Sequence, residues 1–282
     1  MDYVVGISWP RSGHHLIVRL LTLYFGPSFG YCEYHAGQPT VPGIDSCCRS
    51  VPCRHKDVVA LTKNHDFDLQ APQIPGQKYL IQYRDFIPSV VSNFELHIRN
   101  GAPDSAISFR EFASKEFSRY RAFMAKWVAS DFGRDQLQLS YKDLVADPAA
   151  QLARTVAFIA PEQEVDMDRV TDAVARVDGE KIERARIQAL QGVGVHADRD
   201  VTAFRWYEPR LFGTLEHLNL DRGMVMQTFE DILGRKPAET NILGFQCLES
   251  REELEKQLRA SEEYRQRTAS RTSEGSSASG KD

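Results

Sequence analysis

Apolar residues along the chain fall into short runs separated by longer amphipathic stretches. The first run, Tyr3 to Ser8 (YVVGIS), is β-branched and free of charge, and it stops at Pro10, the pattern of a strand buried on both faces. After it, Leu16, Ile17, Leu20, Leu21 and Tyr24 recur at helical spacing, with Ser12 placed as N-cap and Gly26-Pro27 as terminator. Val58 to Leu61, Tyr79 to Tyr83 and Leu137 to Tyr141 predict further strands, while Pro88 to Ile98, Phe109 to Ser130 and Pro148 to Ile159 predict helices. This alternation predicts an α/β protein with three layers, α/β/α, around a mainly parallel central sheet, with a P-loop-like strand-loop-helix at the N-terminus. Ligands of such sheets bind at the carboxyl ends of the strands. Beyond Asp166 the pattern is almost wholly helical.

The C-terminal region changes character. From Leu248 to Arg267 the chain is dense in Glu, Arg and Gln, and Leu254 and Leu258 form its only i,i+4 apolar pair, which predicts a solvated helix and not a coiled coil. Thr268 to Asp282 holds five Ser, two Gly and no large apolar residue, so it is expected to be a disordered tail. The expected organisation is a main domain over 1–245, a charged helix over 246–267 and a tail over 268–282. No internal repeat is visible.

Composition narrows the function. With 282 residues and 42 % hydrophobic content, the chain is long enough for one large α/β domain or two small ones. A formal charge of −4 removes the bulk attraction on which a general nucleic-acid or anionic-membrane binder relies, so any anion site must be local. The opening MDYVVGISWPRSGHH has no basic segment followed by a long apolar one, so neither a signal peptide nor a membrane span is expected, and the cytoplasm is the expected compartment. Cys32, Cys47, Cys48 and Cys53 cluster in sequence with His35 and His55. They lack the paired C-x2-C spacing of zinc sites, so thiols in a reducing compartment are expected, with a local disulfide as the alternative, and no metal.

The turn Pro10-Arg11-Ser12-Gly13 between a strand and a helix presents backbone N–H groups and a helix N-terminus to an anion. Gly13 permits close approach and Arg11 adds a permanent charge with a planar fork. Nucleotide kinases and NTPases share this architecture, but their loop is G-x4-G-K-[ST], whose Lys reaches the terminal phosphates and whose hydroxyl binds Mg²⁺. Here Gly13 is followed by His14 and His15.

A second anchor lies about seventy residues on. Arg84 follows a predicted strand, and Ser92 comes eight residues later on a helix that Pro88 opens in its first turn. An Arg and a hydroxyl converging at a strand end suit a phosphate dianion.

Together these segments resemble the sulfotransferases that use 3′-phosphoadenosine 5′-phosphosulfate (PAPS). SWPRSGHHL is similar to their strand-Y-P-[KR]-[ST]-G-[TS]-[TS] loop, which implies that Arg11, Ser12, Gly13, His14 and His15 hold the donor's 5′-phosphosulfate. Arg84 and Ser92 match the family's 3′-phosphate signature. Tyr141-Lys142-Asp143-Leu144 followed by Asp147-Pro148 resembles the Y-E-D-L-x-x-D-P segment, which implies that Tyr141 lies near the adenosine. Leu61-Thr62-Lys63-Asn64-His65 looks like the family's K-T-H segment, whose His is the general base. The resemblance covers approximately Tyr3 to Ile159.

On an extended backbone Lys63 and His65 project to one face. The expected roles are His65 as general base on the acceptor hydroxyl, with Lys63 and Arg11 stabilising the transferring group without a metal. His14, His15, Glu33 and His35 are the rivals for the base, and Asp66 is placed to orient His65. The family's late R-K-G-x-x-G-D-W loop is absent. Arg199 and Arg205 in HADRDVTAFRWYEP are its nearest counterparts, and Arg205, after Phe204, is the one placed at the 3′-phosphate. The expected reaction is sulfuryl transfer from PAPS to a hydroxyl or amine acceptor, a small molecule or glycan. Its pocket is expected from Tyr31 to Arg54 and Arg99 to Phe109. A P-loop nucleotide kinase and a non-catalytic adenylate-binding protein are the alternatives.

Overall fold

A computed structural model describes residues 1–33, 41, 43–190 and 200–277, with side chains undescribed in 181–190 and 270–277. Its five strands are β1 (Val4–Ser8), β2 (Tyr31–Glu33), β3 (Leu61–Lys63), β4 (Lys78–Tyr83) and β5 (Leu137–Ser140). They form one sheet in the order β2-β3-β1-β4-β5, every pairing parallel. The helices are α1 (His14–Phe25), α2 (Phe86–Arg99), α3 (Ala106–Phe123), α4 (Asp131–Arg134), α5 (Tyr141–Ala146), α6 (Pro148–Ile159), α7 (Met167–Leu190), α8 (Pro209–Glu216), α9 (Arg222–Leu233), α10 (Glu239–Gln246), α11 (Arg251–Ala260) and α12 (Glu262–Ser277). This is the three-layer α/β/α arrangement that the alternation of patterns predicts. Among the described residues no helix is long and apolar enough to cross a membrane.

The chain divides into two compact units, Met1–Asn93 with Tyr120–Asp200, and Phe94–Arg119 with Val201–Asp282. This division differs from the expected one at 245, and it falls inside α2 and α3. In the first unit, strand alternation sends Val4, Leu61 and Leu80 to one sheet face, where they meet Ile17, Leu20, Leu21, Leu152 and Val156 from α1 and α6. Val5, Ile7, Tyr79 and Ile81 point to the other face and meet Trp9, Phe123 and Trp127. A strand buried on both sides needs an apolar residue at every position that carries a side chain, which is why YVVGIS shows no polar alternation until its end.

Element boundaries moved where local patterns were weak. The run expected as a strand from Val58 starts pairing only at Leu61, and Val58 is exposed. The three-residue β2 was too short to stand out from the sequence. The helix expected to run to Ser130 ends at Phe123 and passes into a π turn over Met124–Val128. By contrast α6 has the limits predicted, because Asp147 caps it through Ala150 N and Pro148 occupies its first position.

In the second unit, Arg222 is buried and donates to Ser114 Oγ at 2.9 Å and to Glu239 at 2.6 Å, so its charge is paired. The charged C-terminal stretch is two helices, not one solvated one. Ser250 caps α11, and Leu254 and Leu258 are buried against Val225, Phe229 and Ile232 of α9. Helix also continues from Glu262 to Ser277 through much of the segment expected to be disordered. Ser261 Oγ accepts from Tyr264 N at 3.2 Å there, and Gln266 donates to Glu262 at 3.1 Å.

One buried carboxylate organises the turn that follows β3. Asp66 accepts from Ala71 N at 2.6 Å, from Lys126 Nζ at 2.8 Å and from Trp127 Nε1 at 2.7 Å. Lys126 also donates to the carbonyls of Leu69 and Ala71. Removing the carboxylate takes the counter-charge from a partly buried ammonium and leaves a buried indole N–H and an amide without their acceptor. Asp66→Ala is therefore expected to lower stability by about 3–5 kcal/mol, the range for breaking a buried charge pair, measured by urea unfolding. A loss within about 0.5 kcal/mol, the scale of a surface substitution, would show that the turn is held by other contacts.

Candidate active site

Parallel pairing puts the carboxyl ends of all five strands along one edge of the sheet. Glu33 ends β2, Lys63 ends β3, Arg84 follows β4, Tyr141 follows β5, and the Trp9–Gly13 loop follows β1. The chain turns from β1 to its β3 side and later returns to its β4 side, so the loop after β1 lies at the topological switch point.

The loop is built for close approach. Arg11 and Gly13 both have positive φ, 65° and 86°. Gly13 caps α1 without a side-chain bond, in place of the expected Ser12. The first helix amides to find a backbone acceptor are those of Leu16 and Ile17, both on Gly13 O. The amides of His14 and His15 thus point out from the helix N-terminus, where a partial positive charge resides. Ser12 Oγ is buried and, among the described residues, has no hydrogen-bond partner. A Cβ on Gly13 would lie 2.8 Å from Tyr141 Cδ2.

The second anchor meets the loop directly. Arg11 Nε donates to Ser92 Oγ at 2.9 Å, and Arg84 Nη1 donates to Arg11 O at 3.4 Å. The Arg84 guanidinium lies 4.0 Å from the centre of the Tyr141 ring. Arg11, Ser12, Gly13, Arg84, Ser92 and Tyr141 therefore share one place, although sequence separates the first and last by 130 positions.

Lys63 Nζ lies 3.1 Å from His15 Nε2 and 3.4 Å from Glu33 Oε1. Burial continues to alternate past β3, with Thr62, Asn64 and Asp66 buried and Lys63 and His65 partly open. The His65 Nδ1 is 2.5 Å from Ser8 O. A carbonyl has no proton to give, so Nδ1 carries the proton and the ring's lone pair is on Nε2. Asp66, expected to orient this imidazole, instead faces Lys126 and Trp127. The Ser8 carbonyl does the orienting.

The role inherited by His14 changes. Its ring lies over β1 at Gly6, where a Cβ would stand 3.2 Å from His14 Cε1 and 2.1 Å from Thr62 O. Tyr31 OH donates to Glu33 Oε1 at 3.3 Å, so the Tyr31 oxygen accepts from His14 Nε2 at 3.2 Å. Burial, and then the charges of Lys63, His15 and His65, hold the His14 pKa well below the usual imidazole value. His14 is thus a neutral ring whose N–H is spent on Tyr31, and only its backbone amide faces the loop. Burial, followed by Glu33, pushes the Tyr31 phenol above its usual range, which keeps Tyr31 a donor. Tyr31 was expected only as the start of the acceptor-pocket segment and not as the partner of His14, because β2 carries too few residues to display a pattern.

Arg205 belongs to the second unit, where it pairs with Asp104, which also accepts from Trp206 Nε1 at 2.7 Å. His35 lies outside the described residues. Among the described residues, no three or more His, Cys, Asp or Glu side chains are grouped to hold a metal ion.

No protein-family model matches the chain, and a search of curated proteins finds no match. The chemistry of the site rests on its own residues. Gly13→Ala is expected to cost about 1–2 kcal/mol in urea unfolding, the penalty of a left-handed conformation for a residue with a Cβ, and to displace the Tyr141 ring. A variant as stable as the parent would mean that the loop relaxes out of its positive-φ form.

Proposed function

We propose that this protein is a sulfotransferase that moves a sulfuryl group from PAPS to a hydroxyl acceptor. The observation that carries the reading is the convergence of Arg11, Arg84, Ser92 and Tyr141 on the open N-terminus of α1, each beside the end of a different parallel strand or on the helix that follows it. Two cationic forks and a row of amides match a ligand with two separate phosphate-type groups, and the partnerless Ser12 hydroxyl adds a donor within the loop. The glycine at position 13 lets the Tyr141 ring pack directly against the loop.

On this reading the loop amides and Arg11 hold the 5′-phosphosulfate, Arg84 and Ser92 hold the 3′-phosphate, and Tyr141 lies by the adenosine. The bound donor supplies an activated sulfuryl group. His65, oriented by Ser8 O, takes the acceptor proton on Nε2. Lys63 places positive charge at the transfer site, and Glu33 fixes the Lys63 side chain from the neighbouring strand. Glu33 is committed to Lys63 and Tyr31, which favours His65 over Glu33 as the base. The cytoplasm is the compartment that suits this use. A kinase reading lacks the Lys and the Mg²⁺-binding hydroxyl that a triphosphate loop uses after its glycine.

Calorimetry without metal is expected to show 3′-phosphoadenosine 5′-phosphate binding well above AMP or ATP. Arg84→Ala should weaken it by about 1.5–3 kcal/mol, the loss of a charged hydrogen bond. Equal affinity for AMP would remove the second anchor from the argument. Incubation with sulfur-labelled PAPS and a metabolite extract then identifies the acceptor by what becomes labelled.

Catalysis separates from binding at His65. His65→Ala is expected to leave donor affinity nearly unchanged and to lower turnover by about two to four orders of magnitude. In the parent enzyme turnover should fall as pH drops through the titration of the base, since only the neutral ring accepts a proton. A fully active His65→Ala protein with the same acid limb would move the base elsewhere.

A further inference from the structure

Four of the five cysteines gather behind β2 and β3 in the first unit, and none of them has a part in the proposed transfer chemistry. Cys32 on β2 and Cys53 are 1 % and 3 % exposed, whereas Cys47 and Cys48 are partly open to solvent. All are reduced. The sulfur atoms are sorted into pairs. Cys48 Sγ is 3.6 Å from Cys53 Sγ, and Cys32 is hydrogen-bonded to Cys47.

The first pair is asymmetric. Cys48 Sγ accepts from Arg54 N at 3.4 Å on a solvent-accessible turn, while Ser50 Oγ, 3.1 Å from that sulfur, donates to Pro52 O. Cys53 is covered, its sulfur accepting from His55 N at 3.4 Å and its own amide donating to Tyr3 OH at 2.9 Å. An accessible sulfur that accepts from a backbone amide next to a covered one is the arrangement of an attacking thiolate beside a resolving thiol.

We propose that Cys48 and Cys53 form a redox pair that closes to an intramolecular disulfide by exchange with a small disulfide of the glutathione type. The Cys48 thiolate attacks one sulfur of the small disulfide, forming a mixed disulfide and expelling one small thiolate. The Cys53 sulfur then attacks Cys48 Sγ, the bond to the small group breaks, and the second small thiol leaves with the Cys53 proton. The pair loses two electrons and the small disulfide gains them. The two sulfurs need to close by only about 1.6 Å to reach a bonded separation.

Titration agrees with this order of attack. Burial raises the Cys48 pKa, but hydrogen bonds to its sulfur, among them those of the Arg54 and Ser50 amides and Cys53, outweigh it and hold the thiol at about 7. Burial pushes Cys53 up to about 11. Near neutral pH Cys48 is the thiolate and Cys53 the thiol.

The full-length protein is incubated with oxidised glutathione, quenched with an alkylating agent, digested with trypsin and sequenced by tandem mass spectrometry. Trypsin cuts after Arg49 and Arg54, so the Cys48–Cys53 bond joins two peptides, and fragmentation between Cys47 and Cys48 assigns the sulfur. The expected product is that cross-linked pair. Cys53→Ser is expected to stop at a glutathione adduct on Cys48. In the untreated parent, iodoacetamide at pH 7 should label Cys48 at least about tenfold faster than Cys53, which needs no variant. Linkage of Cys53 to a residue other than Cys48, no cross-link at all, or stoichiometric zinc that must be chelated before the thiols react would each overturn the proposal. The readout is thiol chemistry alone, so it stands or falls apart from sulfuryl transfer.

Discussion

The site depends on the burial of β1 from both faces and both edges. Its neighbours β3 and β4, with Ala60 and Asn64 flanking β3, take its hydrogen bonds, and Val4, Val5 and Ile7 are fully covered. Such a strand cannot slip, because a shift by one residue would reverse which side chains meet α1 and which meet Trp127. Everything attached to its carboxyl end is held to the same precision. That end carries the Ser8 carbonyl that orients His65 and the loop that starts α1.

Parallel register extends this precision sideways. Glu33 stands opposite Lys63, and Gln82 opposite Ser8, so residues far apart in sequence are delivered to one edge by pairing alone. Side-chain bonds then complete what the backbone begins. Arg11 to Ser92 and Arg84 to Arg11 O join the loops after β1 and β4, and Arg84 against Tyr141 adds the loop after β5. The turn after β3 is fixed independently by Asp66, Lys126 and Trp127, so His65 sits between two rigid supports.

Strong local signals made much of this legible in the sequence. The β1 run, the α1 face and the Asp147-Pro148 start of α6 need no tertiary help, and Arg84 with Ser92 is recognisable because eight residues make just over two helical turns. What the sequence hid was set by distant partners. Strand β2 exists because Tyr31 to Glu33 find β3, and β3 begins at Leu61 because that is where its partner β1 begins at Val4. Asp66 looks like a surface carboxylate beside a histidine until Lys126, sixty positions away, is seen to meet it. The pairing of Leu254 and Leu258 with α9 is equally nonlocal, and a single i,i+4 pair was too small a stripe to announce it.

The two histidines that follow Gly13 do different work from one another. His14 is buried over Gly6, and because Tyr31 must donate to Glu33, its oxygen fixes the proton of His14 on Nε2. The other ring nitrogen is then an acceptor and repels an anion. An anion in the loop is therefore held by the His14 amide and not by its ring. His15 is exposed and lies against Lys63, so it shares the Lys63 environment with Glu33. The bonds of His14 to Tyr31 and of His15 to Lys63 tie the residues after Gly13 to the strand carrying Glu33. The loop's own donors are its backbone amides, Arg11 and the Ser12 hydroxyl, and these are the groups whose positions the β1–α1 junction controls most tightly.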